Sequence, residues 1–322
     1  MTIENYINKT IELPKLGSWP EAVHIFEDDS AYALAAAEAS ERPLLIRGEP
    51  GTGKSQLARA AAVASGRLFL SVVVNARTEC QDLQWQYDAV ARLGEAQLLG
   101  QYEQAQADER MNPAKFLTPG PLWWVFDWTS AQTQQNYCTN PLAQAPEKPA
   151  NWTPEKGTVL LIDEIDKADT DLPNGLLETL GNGDFTVPYR AESVRQTEHT
   201  PPPLVIITTN EEREMPAAFL RRCVVLQLDL PEDDAELLDF LCQRGHVHFE
   251  GKTTEKVRRQ AAKQLLEDRK AAQEQGLPPP GQAEYLDLLR ALCGMAETEQ
   301  AQLDLLAKIS GFVLKKSPAT LR

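Results

Sequence analysis

The octet Gly48-Glu-Pro-Gly-Thr-Gly-Lys-Ser55 fits the pattern G-x-x-x-x-G-K-[ST]. In a glycine-rich turn, backbone N–H groups can converge on phosphate oxygens because no Cβ blocks their approach. A helix starting near Lys54 would add its positive end. Gly48, Glu49, Pro50, Gly51, Thr52, Gly53, Lys54 and Ser55 are therefore expected to cradle the phosphates of a nucleotide. Lys54 would reach the β- and γ-phosphates, and the Ser55 hydroxyl would bind Mg²⁺.

Three further stretches carry groups suited to the same chemistry. In TVLLIDEIDKA, Thr158–Ala168, an apolar run delivers Asp163 and Glu164 to the C-terminal end of a strand. Open α/β sheets bind ligands at that end. Asp163 suits the Mg²⁺ shell, and Glu164 suits activation of an attacking water, which points to hydrolysis. An acidic helix start would carry the same residue types. In LVIITTN, the Asn210 amide could position the water, or it could cap a helix formed by the EERE that follows. In FLRRC, Arg221 and Arg222 precede an apolar strand. An arginine inserted into a neighbour's site stabilises charge on the γ-phosphate and contributes about 10³–10⁵ in rate. A surface ion pair with Glu211–Glu214 would contribute less than about 1 kcal/mol, and spacing alone does not choose between the two.

These groups need a scaffold, and the hydrophobic pattern supplies one. Strands are expected at Pro43–Arg47, Leu68–Asn75, Thr158–Ile162, Leu204–Thr209 and Cys223–Leu230. Four are near-continuous apolar runs, as strands buried on both faces should be. Helices are expected at Ser55–Ser65, near Asp82–Leu99 and at Pro173–Leu180. The alternation argues for an α/β fold with a parallel sheet.

Residues 76–157 are long for one crossover and read as an insertion. Its Trp123, Trp124, Trp128 and Trp152 either anchor it on the core or mark a partner surface. A hairpin is expected within 182–202, where Phe185, Val187 and Tyr189 alternate after the turn signal NGD. Beyond Leu230 the pattern is all-helical, with helices near Asp234–Arg244, Thr254–Gln275, Gln282–Ala296 and Ala301–Lys315. A domain boundary therefore falls near 231, giving an α/β domain over 1–230 and a helical domain over 231–322.

Composition narrows the partners. The net charge is -15 with a sequence pI near 4.8, which disfavours broad binding to nucleic acid or anionic membrane. No apolar run approaches the ~20 residues of a membrane helix. MTIENYINKT shows no secretory signal pattern, so a cytoplasmic location is expected. The five cysteines are scattered and form no metal motif, and the four histidines form none either.

Taken in this order, the four elements resemble the AAA+ ATPases over roughly residues 20–322, and within them the MoxR-type branch. The resemblance to that branch rests on Asp163-Glu-Ile-Asp-Lys-Ala168, the hairpin-like Gly183–Tyr189, and Phe116–Phe126, FLTPGPLWWVF. It implies a P-loop NTPase core with a five-stranded parallel sheet, a smaller helical lid and a ring, usually hexameric, with ATP between subunits. Arg222 becomes the first finger candidate and Arg221 the second, while Asn210 matches the residue called sensor 1. The branch often works with proteins bearing a von Willebrand factor A domain. The lid arginine has no clear counterpart: Gln282 stands at the matching helix start, leaving Arg290 and Arg322 as weak candidates.

The expected function is Mg²⁺-dependent ATP hydrolysis in a ring, coupled to chaperone-like remodelling of a partner protein. The alternatives are a nucleic-acid motor of the restriction or helicase kind, or a slow nucleotide-gated assembly module.

Overall fold

Near-continuous apolar segments form the central strands of the computed structural model, which describes residues 3–98 and 103–314. The strands are β1 (Leu44–Arg47), β2 (Leu68–Val73), β3 (Thr158–Asp163), β4 (Leu204–Thr209) and β5 (Val224–Gln227). They make one five-stranded parallel sheet in the order β5-β1-β4-β3-β2. β3 pairs in parallel with β2, Val73 opposite Asp163, and with β4, Ile207 opposite Ile162. All six residues of β4 and the first five of β3 are buried. Both faces of the sheet are therefore covered, which is why these strands read as continuous rather than alternating patterns.

Among the described residues the chain divides into two compact units, one of residues 3–9, 26–46 and 58–226, the other of 10–25, 47–57 and 227–314. The first unit holds the sheet and the insertion. Leu117, Leu122, Trp123, Trp124, Phe126, Trp128 and Trp152 share a core with Leu70, Leu160, Ile162 and Ile207 of the strands. Trp128 meets Trp124 and Trp152 edge-on, at centroid distances of 4.8 and 4.7 Å. Trp123 Nε1 donates to Ser130 Oγ, and Trp152 Nε1 donates to the Gly157 carbonyl. The four tryptophans thus line the sheet core, not an exposed surface.

Two local expectations change in this unit. The single helix expected near Asp82–Leu99 is broken into helices Cys80–Gln84 and Ala89–Leu98, with a strand at Trp85–Tyr87 between them. That strand pairs with Leu117–Pro119, Tyr87 opposite Leu117. Cross-strand pairing of aromatic residues outweighs helical spacing here, and the Asp88 side chain restarts the helix by accepting from the Ala91 N–H. The hairpin within 182–202 is present but minimal, with Asp184–Phe185 paired to Val194–Arg195.

The second unit holds helices Asp234–Phe249, Glu255–Glu274, Gln282–Met295 and Glu299–Val313. Asp233, Thr254 and Thr298 cap three of them through side-chain oxygens. Leu241, Val257, Leu265, Tyr285, Leu288 and Leu292 form the centre of their core. The first helix runs five residues past the expected Arg244 because Gly245 is used for close packing. A Cβ at that position would lie 2.6 Å from Tyr285 Oη.

The same unit contains a ribbon in which Thr10–Leu13 pairs with Ala22–Ile25. Burial, then the Arg244 charge, pushes His24 of this ribbon down to about 3, and the same two causes push His248 down to about 4. Both histidines stay neutral when folded but take up protons on unfolding below pH ~6.5. Their contribution to stability is therefore present above that pH and is lost as pH falls toward 4, at up to about 1.4 kcal/mol per pH unit for each histidine. Denaturant melts between pH 7.5 and 4.5 should show the loss, and His24→Asn should reduce its slope.

Candidate nucleotide-binding and hydrolytic site

The glycine octet follows β1 and leads into helix Lys54–Ser65. Gly48, Gly51 and Gly53 have φ of 143, 81 and 99°, conformations that favour glycine. At Gly48 a Cβ would lie 2.2 Å from the Leu228 carbonyl oxygen, so the loop can pass there only without a side chain. Lys54 Nζ donates to the carbonyls of Gly48 (2.7 Å) and Glu49 (2.8 Å), and Thr52 Oγ1 donates to Glu49 O (3.0 Å). A buried ammonium at the start of a helix, facing a glycine-rich loop, fits a phosphate chain. Ser55, partly buried, is the second residue of that helix.

On the outer side of the loop, the Ala283 N–H donates to Gly51 O (3.1 Å). Arg269 Nη2 donates to Glu49 Oε2 (2.6 Å), while its Nη1 donates to Pro280 O (3.1 Å).

The acidic group is assembled at the ends of β3 and β4. Thr208 Oγ1 accepts from the Glu164 N–H (2.9 Å) and donates to Asp163 Oδ1. One hydroxyl therefore fixes both members of the acidic pair. Glu164 has φ 61 and ψ 49°, a left-handed conformation uncommon outside glycine, of the kind that concentrates at functional sites. Its carboxylate meets Asn210 Nδ2 at 3.4 Å and Lys167 Nζ at 2.6 Å. The hydrogen bond to Glu164 pushes the Lys167 ammonium above its ordinary range.

Asn210 does not cap a helix. Asp166, 1% exposed, accepts from the N–H groups of Asn210 (3.1 Å) and Glu212 (3.0 Å). This holds the Glu211–Glu214 stretch in an irregular turn, with Glu211 at φ 62°.

Arg221 and Arg222 are exposed at the end of the short helix Ala217–Leu220. Arg42 holds their backbone: its Nε donates to Arg222 O (3.1 Å) and its Nη2 to Arg221 O. Arg42, Asn174, Glu178, Arg221 and Arg222 line an open cleft that none of Asp163, Glu164 or Asn210 reaches. The structure brings Asp163, Glu164 and Asn210 together and leaves the two arginines on separate ground.

The sequence profile of the AAA domain (dynein-related subfamily) matches residues 43–223, more than half of the chain. The chain belongs to this family. It is a P-loop ATPase, and the glycine octet, the acidic pair and the adjacent arginines all fall inside the matched span. No curated protein is significantly similar in sequence. Among solved structures, a mutant of RuvB from Thermotoga maritima is 15% identical, with a TM-score of 0.46 over 90% of this chain and 69% of that one. RuvB, the Thermotoga maritima Holliday junction branch migration motor, is 14% identical, with a TM-score of 0.42 over 87% of this chain and 67% of that one.

Several residues that shape these sites were not assigned from sequence. Thr208 and Asp166 lay inside the recognised stretches, but their roles depend on which strand ends meet. Arg42 and Arg269 act about 180 and 220 residues from their partners, so no local pattern could flag them. Arg290 is exposed and paired with Asp287, Gln282 opens its helix, and Arg322 lies outside the described residues.

Proposed function

We propose that this ATPase hydrolyses ATP with Mg²⁺ in a ring-shaped assembly of its own copies, usually six in the MoxR-type branch, and uses the turnover to remodel a partner protein. Residues Gly48–Ser55 hold the phosphates. Ser55 and Asp163 supply hard oxygen ligands of the kind Mg²⁺ takes alongside phosphate oxygens, and the metal offsets charge on the transferred group. Glu164 takes the proton of the attacking water, Asn210 orients that water, and Arg222, with Arg221 second, reaches a neighbouring copy's γ-phosphate. The division into a nucleotide-binding domain over 1–230 and a lid over 231–322 belongs to the same proposal, as does a cytoplasmic location.

The observation that carries the reading is the contact of Asn210 Nδ2 with the Glu164 carboxylate, on a backbone held by Thr208 and Asp166. A pure nucleotide-binding module needs no such pair, whereas water activation does. The MoxR-type assignment is supported by the Asp163–Ala168 stretch and by Phe116–Phe126, whose Trp123 and Phe126 enter the sheet core. A partner with a von Willebrand factor A domain follows from that assignment alone.

The experiment is capture of partners with the Glu164→Gln variant in ATP, alongside sedimentation with and without nucleotide. A ring-sized species that retains a protein partner only in ATP is the expected result. A monomer in ATP that retains nothing would overturn the remodelling reading.

A further inference from the structure

The nucleotide loop carries a carboxylate that the phosphate chemistry does not ask for. Glu49 is the second residue of the glycine octet, and its backbone carbonyl accepts from both Lys54 Nζ and Thr52 Oγ1. Its side chain therefore sits on the segment that grips the phosphates, and an ionised carboxylate there opposes the approach of a triphosphate.

The structure answers that charge with one guanidinium. Arg269, in helix Glu255–Glu274, is 13% exposed against 42% for Glu49, and its Nη2 lies 2.6 Å from Glu49 Oε2. The other arm is spoken for as well, since Nη1 donates to Pro280 O, just before helix Gln282–Met295. At the N-terminus of that helix the Ala283 N–H donates to Gly51 O, and a Cβ at Gly51 would lie 3.2 Å from Ala283 Cβ. The octet is thus tied to the helical region by a charged contact from Arg269 and by a backbone hydrogen bond from Ala283, three residues after Pro280. A guanidinium this well covered, with both arms committed, is pre-organised in a way that exposed surface pairs are not.

We propose that Arg269 is a positioning residue for ATP binding: it neutralises and holds Glu49, so that the helical region sets how readily the glycine loop accepts a triphosphate. The inference rests on the reading that Gly48–Ser55 is the ATP site. Arg269 acts through Glu49 and does not touch the phosphates. It supplies a link between the helical region and the loop that neither Gln282 nor Arg290 provides.

The test is a double-mutant cycle read by equilibrium binding of a fluorescent ATP analogue with magnesium, on the full chain. Arg269→Ala should weaken binding at least about fivefold, the scale of a lost charge-assisted contact. The same substitution in a Glu49→Gln background should weaken it less than about twofold, because the charge to be offset is gone. Glu49→Gln alone should bind the analogue more tightly than the wild type, because it removes the charge that opposes the triphosphate. Arg269→Lys, which keeps the charge, should stay nearer wild type than Arg269→Ala.

Equal losses for Arg269→Ala in both backgrounds would overturn the proposal, since that is the mark of a purely structural role. Binding by Glu49→Gln no tighter than that of the wild type would overturn it too, and this variant leaves Arg269 in place should the arginine variants not fold. Lys54→Ala is the control. If it binds the analogue as the wild type does, the ATP-site reading has failed; if it loses binding while Arg269→Ala does not, only this inference has failed.

Discussion

The Glu164→Gln variant should bind ATP as the wild type does while its hydrolysis falls at least about 100-fold, the scale of a positioned general base. The amide keeps the shape of the carboxylate and can still meet Asn210, but it cannot take a proton from water. The left-handed backbone of Glu164 and the Thr208 hydroxyl that receives its N–H are untouched by the change, so the fold should be retained. Lys167, whose ammonium lies 2.6 Å from the carboxylate, loses its ion-pair partner. That pair is partly exposed and contributes little to stability. Steady-state phosphate release together with nucleotide affinity separates the two effects. Wild-type turnover would remove Glu164 from the water-activating role.

Arg222→Ala should lower turnover by about 10³-fold or more, as expected for loss of an arginine finger. Because the arginine would serve a neighbour's site, mixing Arg222→Ala with Lys54→Ala subunits should restore part of the activity. In such a ring, some interfaces pair an intact loop with an intact arginine. The placement fits this role: both arginines are exposed, Arg42 holds their carbonyls, and they open on a cleft away from their own Glu164. No rescue in a demonstrably mixed ring would count against action in trans, and a larger loss for Arg221→Ala would make that residue the finger.

The sheet was legible because its strands are buried on both faces. Leu204–Thr209 appears in the structure with the bounds its apolar run sets, and Thr158–Asp163 gains only the aspartate at its end. The cradle was legible because glycines at fixed spacing encode a backbone conformation, as the φ values at Gly48, Gly51 and Gly53 show. Legibility ended where tertiary pairing decides. Trp85–Tyr87 left its helix to pair with Leu117–Pro119, a contact across thirty or more residues that no periodicity announces. The EERE stretch was helix-like in composition, but the buried Asp166 claims the N–H groups at its start. Arg42 and Arg269 were silent for the same reason, since each works on a segment far away in sequence.

The central claim is that Gly48–Ser55 grips the phosphates of ATP through its amides and Lys54. Calorimetric titration of Mg·ATP into the wild-type chain and into Lys54→Ala tests it most directly. Saturable one-site binding to the wild type, weakened at least about tenfold in the variant, is the expected result. No binding to the wild type, or equal binding to both, would contradict the account.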